Sequence, residues 1–288
     1  MKKKPGTEIR IIKTYEPDNV LKQGYFSIFR EIFSEIIRNR WLIVQLFKRD
    51  LLAVYKQSFM GLLWALIIPL ISVGTFIILN RSGIFSMGAI DTPYPIYAIL
   101  GMAFWQVFST GLMASSNSLV KAGLMIVKIN FSKKSLVIAS LGQSLVAYIV
   151  QLALVFLLFL YYGYTPTLYV FLLPVLILPV ILLTAGLGFV LSILNGIMRD
   201  IGNAISVLLT FFMFLTPVLY AKPNTGILAA ISFYNPLYYL VSFPRELILA
   251  GSAAELTGYL VASGFSLLIL VTCIFIFHLT ETRVTERI

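Results

Sequence analysis

Residues 41–70 read WLIVQLFKRDLLAVYKQSFMGLLWALIIPL, and this stretch decides the fold class. A cationic amphipathic segment bearing Lys48, Arg49 and Lys56 runs without a turn signal into an apolar span that starts near Gly61. No further charge appears until Arg81. Such a junction lays a helix on the membrane surface and then carries the chain through the bilayer. It also places cations at one mouth of the membrane domain, where anionic groups are handled.

Composition points the same way. AVILMFWYC make up 59% of the chain, only 12% is charged, and the mean hydropathy is +0.93. A soluble domain carries about a quarter charged residues. With about 20 apolar residues needed per crossing, the 288 residues hold six spans, near 60–80, 96–117, 136–162, 168–194, 201–220 and 257–279. The third and fourth are separated only by Gly163, Tyr164, Thr165, Pro166 and Thr167, a helical hairpin turn. In residues 25–37, Tyr25, Ile28, Phe29, Ile32, Phe33, Ile36 and Ile37 recur at helical spacing, opposite Arg30, Glu31, Ser34, Glu35 and Arg38. That stripe predicts a helix lying in the headgroup plane, either a plain anchor or part of the frame of a substrate entrance.

The expected architecture is an all-α integral membrane protein. It comprises a cytoplasmic N-terminal segment (1–24), amphipathic interfacial and entrance helices (25–59), a six-helix transmembrane domain (60–279) and a cytoplasmic tail (280–288). Within the domain, 116–135 forms a cytoplasmic loop and 221–255 an external region. That external region holds apolar stretches 227–233 and 237–243, broken by Asn235-Pro236 and Pro244 and too short to span, which predicts re-entrant helices before the last span.

Orientation follows from the basic residues, which resist translocation. Nineteen of the 22 Lys and Arg fall on one predicted side, twelve of them before residue 60. Only Arg81, Lys222 and Arg245 fall on the other. Six spans therefore put both termini in the cytoplasm. The net charge of +10 is this bias plus attraction to anionic lipid headgroups, not a nucleic-acid footprint. The polar, basic start of the chain predicts no cleavable signal segment.

Catalytic signals are missing. The sequence has no GxxxxGK[ST] loop, no HExxH and no GxSxG, and its single Cys273 and single His278 exclude a Cys/His metal cluster. His278 reads as an interface residue. The apolar spans are nearly free of ionisable side chains, which argues against a carrier that binds its own driving ion. A secondary flippase, a membrane scaffold and a lipid-modifying enzyme are weaker readings for these reasons. Energy from a partner protein fits better. The cationic loop SNSLVKAGLMIVKINFSKKS (116–135) suits docking to a soluble subunit, or is a solvated connector. Arg199-Asp200 is a coupling contact, a salt bridge or a helix boundary. The aromatics Phe211, Phe212, Phe214, Tyr220, Tyr234, Tyr238 and Tyr239 either form an interfacial belt or flank a pathway in which rings stack on sugar faces.

Four motifs in order then resemble one family, the permeases of ABC transporters that export cell-surface polysaccharides such as O-antigen, capsule and teichoic acid. YKQSFMGLLWALIIPL (55–70) is similar to the start of that family's first span. Asn117 with Lys121, Lys128, Phe131 and Lys133 resembles its ATPase-coupling loop, although Ser132 stands where the family usually has proline. Arg199-Asp200 and Asn235-Pro236 with Arg245 match two further patterns. The resemblance covers about residues 25–280. It implies a non-enzymatic, channel-forming homodimer in the bacterial inner membrane, bound to two copies of a cytoplasmic subunit that holds ATP and Mg. The chain itself would carry no cofactor. The implied substrate is a glycan on undecaprenyl diphosphate, with O-antigen ahead of teichoic acid or capsule, and a drug or small-lipid permease as runner-up. Arg38, Arg40, Lys48, Arg49 and Lys56 are the expected diphosphate contacts at the entrance, with Asp50 pairing one of them.

Overall fold

The computed structural model describes residues 25–56, 63–83, 90–123, 132–222 and 225–284. Among these no strand occurs, and the described segments are predominantly helical. The helices α1 (Tyr25–Arg38) and α2 (Arg40–Lys56), which the sequence predicts to be interfacial, come first, followed by α3 (Trp64–Arg81) and α4 (Tyr94–Ser116). A short α5 (Ser118–Ala122) precedes the long α6 (Lys133–Tyr162). A 3-10 turn (Leu168–Leu172), α7 (Leu173–Leu176) and α8 (Leu178–Ile197) then run as one apolar rod interrupted at its prolines. The series closes with α9 (Asp200–Leu215), α10 (Ile227–Tyr234), α11 (Pro236–Ala250) and α12 (Leu256–Val284).

Four helical segments are long and apolar enough to cross a bilayer: Tyr94–Ser116, Lys133–Tyr162, Leu168–Ile197 and Leu256–Glu281. The pair α10 and α11, bent by 88° at Asn235-Pro236, makes a fifth if the two count as one broken span. The expected first and fifth spans are shorter apolar helices, Leu66–Leu79 and Asp200–Leu215. The junction from α2 into α3, read from sequence as unbroken, lies outside the described residues.

α4 is the axis of the domain. Its central window is 78% buried, against 17% for α12 and 28% for α6. Lipid tails are as apolar as leucine, so contact quality, not water exclusion, must hold such a helix. Small side chains supply that contact where α4 meets α6 and α8. A Cβ on Gly111 would sit 2.9 Å from Thr184 Cγ2 and 3.0 Å from Ser144 Oγ, so only glycine permits this approach. Gln151 of α6, fully buried, donates to Gln106 of α4 and gives the pair a polar pin near the middle of both helices.

A second apolar cluster sits at the predicted cytoplasmic end. Leu46 of α2, Leu119 and Ala122 of α5, Leu136, Val137 and Ala139 of α6, Phe189 and Ile193 of α8 and Phe277 of α12 pack together.

Two sequence expectations are corrected here. Pro244 was expected to end a short apolar stretch, yet α11 continues through it to Ala250. Eleven of its fifteen residues are buried, and packing on nearly every side outweighs the one hydrogen bond that proline removes. Arg245 was expected in an external loop, but it is 1% exposed and lies inside that helix.

Candidate functional site

Three places gather polar chemistry. The first joins the two loops at the predicted cytoplasmic face. α4 ends at Ser116 and leaves its last carbonyls without helical partners, while α9 begins at Asp200 with no local side-chain cap. Asn195, 1% exposed near the end of α8, serves both ends. Its Nδ2 donates to the Ser116 carbonyl and to Asn117 Oδ1, each at 3.1 Å. Its Oδ1 accepts from Gly202 N–H at 2.8 Å. Asn117 in turn donates to the Met113 carbonyl at 2.9 Å. One amide side chain thus ties the start of the 116–135 loop to the Arg199-Asp200 turn. In the sequence Asn195 carries no signal beyond being a lone amide among apolar residues in the segment LSILNGIMRD (191–200).

Around this knot the structure exposes Lys121, Arg199 and Asp200 and leaves Asn117 and Lys133 partly buried. Among the described residues no ion pair joins Arg199 to Asp200, so the dipeptide marks a helix start. Asp200 in the first turn of α9 suits the positive end of that helix. Lys128 and Phe131 lie outside the described residues.

The second place is the surface of α1 and α2. Arg38, Arg40, Lys48 and Arg49 are all exposed on it. Arg49 pairs with Asp50 at 2.7 Å, as the sequence suggested for one of these cations. With the Arg49 side chain 47% exposed, such a pair contributes under about 1 kcal/mol. The side chain of Lys56 lies outside the described part of α2. The amphipathic stripe of α1 holds for Ile28 and Ile32, which are buried, whereas Phe33 is 66% exposed.

The third place is the predicted external end. After α9 the backbone from Thr216 to Tyr220 leaves the helix, yet every one of these residues is buried. Their carbonyls are met by side chains from neighbouring helices. Arg245 Nη1 donates to Val218 O at 2.6 Å and Nη2 to Pro217 O at 3.2 Å. Tyr94 and Tyr97 of α4 donate to Leu219 O at 2.9 Å and to Tyr220 O at 3.3 Å. The guanidinium also lies 3.7 Å from the centroid of the Tyr97 ring. Gly101 makes room, since a Cβ there would stand 2.7 Å from both Arg245 Nη1 and Val218 O. The far end of α11 is fastened as well: Thr167 and Tyr164, from the hairpin turn, donate to the carbonyls of Leu247, Ile248 and Leu249. Lys222, Glu255 and Tyr238 form a small outer tie, with both Lys222 Nζ and the Tyr238 hydroxyl 3.1 Å from Glu255 Oε1.

The aromatics separate into two groups. Phe211, Phe212 and Phe214 on α9 are 63%, 43% and 54% exposed, and Tyr234 on α10 is 83% exposed. Of these, Phe212 and Tyr234 line an open apolar groove of about 430 Å³ together with Leu215, Ala230 and Ile231. Tyr220 and Tyr238 are buried at 6% and 2% and serve the interior. Tyr239, partly buried, donates to the Phe233 carbonyl at 3.0 Å.

Comparison with known proteins places this arrangement. The family described as "ABC-2 type transporter" matches residues 42–249. The O-antigen export system permease protein RfbA of Myxococcus xanthus is 30% identical over 193 residues, 66% of this chain and 72% of that protein. Two proteins of the same name from Klebsiella pneumoniae are each 25% identical, over 73% and 81% of this chain and 81% and 90% of their own length. The matched region takes in the Asn195 knot, the exposed α9 face and the Arg245 brace, and the chain accordingly belongs to the ABC-2 type transporter family, as a multi-pass membrane permease of an ABC transporter with an ATP-binding partner.

Proposed function

We propose that this chain is the channel-forming subunit of an ATP-driven exporter that moves a polysaccharide carried on undecaprenyl diphosphate, with O-antigen as the glycan. The observation that carries the reading is the similarity to three O-antigen export permeases over 66% to 81% of the chain. In this reading α3 and α9 complete six spans, both termini are cytoplasmic, and α10 and α11 form a re-entrant pair at the external face. Two copies of the chain assemble in the inner membrane with two copies of a separate ATPase that binds and hydrolyses ATP with Mg.

The mechanism follows from the placement of charge and aromatic surface. The lipid diphosphate meets Arg38, Arg40, Lys48, Arg49 and Lys56 at the cytoplasmic entrance, where guanidinium forks suit its oxygens. Asn117, Lys121, Lys128, Phe131, Lys133, Arg199 and Asp200 receive the ATPase. Asn195 supports this role, because movement of the 116–135 loop reaches α9 through its amide. α9 is exposed over most of its length, with only Ile205 fully buried, which suits a helix that faces a second copy and a pathway between them. Phe211, Phe212, Phe214 and Tyr234 then present ring faces on which successive sugars slide.

The test is made in cells lacking the chain. They are expected to retain lipid-linked O-antigen inside and to lose it from the surface, and the cloned chain with its ATPase restores both. Normal surface O-antigen in the deletion strain would overturn the reading, and loss of capsule or teichoic acid instead would reassign the glycan. Arg49→Ala combined with Lys56→Ala is expected to lower export at least tenfold, since the loss of even one charge-assisted bond to the diphosphate costs about 1.5 kcal/mol. Copurification with the ATPase should stay unchanged. Wild-type export by that double variant would remove both residues from the entrance.

A further inference from the structure

We propose that Lys134 is a positioning residue for transport: through a buried ionic clasp with Glu35 and Glu281 it passes movement of the 116–135 loop to the interfacial helix at the entrance. The inference rests on the ATP-driven reading above.

Lys134 is the second residue of α6, just where the chain leaves that loop, and it is 1% exposed. Its Nζ lies 3.0 Å from Glu35 Oε2 of α1 and also pairs with Glu281 Oε2 of α12. The neighbouring residue reinforces the contact, Lys133 N–H donating to Glu281 Oε1 at 3.2 Å and its Nζ to the Glu281 carbonyl at 2.8 Å. Three elements far apart in sequence therefore meet on one ammonium. Packing alone does not require this. Two lysines in the first turn of a helix oppose its dipole, and a buried ammonium is costly unless paired. The arrangement persists because two carboxylates are brought to it. Burial works against the Glu35 carboxylate, but the adjacent Lys134 ammonium holds its pKa below the usual value, so the carboxylate stays ionised.

An ionic tie differs from apolar contact in one respect that matters here. Apolar surfaces slide past each other with little loss, whereas a buried charge pair must remain in register or lose its compensation. Around the clasp the same elements also touch through rings, Phe29 of α1 stacking on Phe275 of α12 at 6.0 Å and 28°. Leu46 of α2 and Leu119 of α5 share one apolar cluster beside it. A push on the loop therefore has a rigid route to α1 and α2.

The experiment uses the full chain purified with its ATPase in proteoliposomes carrying lipid-linked glycan, and reads export per ATP hydrolysed. Lys134→Met is expected to assemble and to hydrolyse ATP near the wild-type rate, while export per ATP falls about tenfold, as for loss of a typical coupling interaction. Lys134→Arg, which keeps the charge, should recover most of that ratio. If Lys134→Met does not assemble, Glu35→Gln, which releases only α1, is read by the same ratio and should lower it. A wild-type ratio in the variant that assembles overturns the proposal, even where export and hydrolysis fall together, because a purely structural staple would lower both alike. Export by the wild-type chain without its ATPase would refute the ATP-driven reading and this inference with it. ATP-dependent wild-type export with an unchanged mutant ratio would refute the clasp alone.

Discussion

Arg245→Ala is expected to destabilise the protein more than any other single truncation. The change orphans the carbonyls of Pro217 and Val218 in a site that water does not reach, and a buried acceptor without a partner costs about 1–3 kcal/mol. It also removes the cation from the Tyr97 ring and opens a cavity beside Gly101. Against this stands relief of the cost of burying a guanidinium, which for some buried charges exceeds their gain. The two effects are separable. Arg245→Met fills the space without donating, so it should regain only the cavity part and remain about 2 kcal/mol below wild type. For the alanine variant a loss of about 3 kcal/mol corresponds to a fall of roughly 6–12 °C in unfolding midpoint, followed in detergent by heating. A methionine variant as stable as wild type would show that desolvation outweighs the brace.

Asn195→Leu is the second large effect. Leucine matches asparagine in size but caps neither helix end, leaving the Ser116 carbonyl, Asn117 Oδ1 and Gly202 N–H without that partner. Three buried bonds at about 1 kcal/mol each give a loss near 3 kcal/mol at the knot. The knot is local, so the first consequence is independence of the two loops. Amide hydrogen exchange should quicken in residues 116–122 and 200–203 with the membrane core unchanged, and export should fall about tenfold or more while the ATPase stays bound. Asn195→Asp keeps the acceptor for Gly202 and loses the donor, and should fall between the two. Unchanged exchange and full export in the leucine variant would remove Asn195 from any coupling role.

Both residues show where a reading of sequence stops. In sequence Asn195 is merely one amide in an apolar run, and its importance lies in capping Ser116 and Gly202, from two other helices, at once. Arg245 was noticed, but as a loop residue beside Pro244, because proline inside an apolar stretch reads as a break. Tertiary packing keeps that helix intact and draws the arginine inward. Likewise Lys134 looked like one more cation in a basic loop, since charge counting records its sign and not the two carboxylates that arrive from residues 35 and 281. Tyr220 and Tyr238, grouped with Phe211 and Tyr234 on composition, separate from them only once burial is known.

Properties that depend on local composition and period were determined by the chain alone. These are its membrane character, the long apolar helices at 94–116, 133–162 and 256–281, the bend at Asn235-Pro236, and the Arg49–Asp50 pair. Each is set by neighbours within a few turns of helix or by the oil-like solvent itself. Which polar groups satisfy which helix ends was decided only by tertiary structure. A carbonyl at residue 218 and a guanidinium at 245 have no sequence relation, and only the low-dielectric interior, where an unmet hydrogen bond is expensive, brings them together.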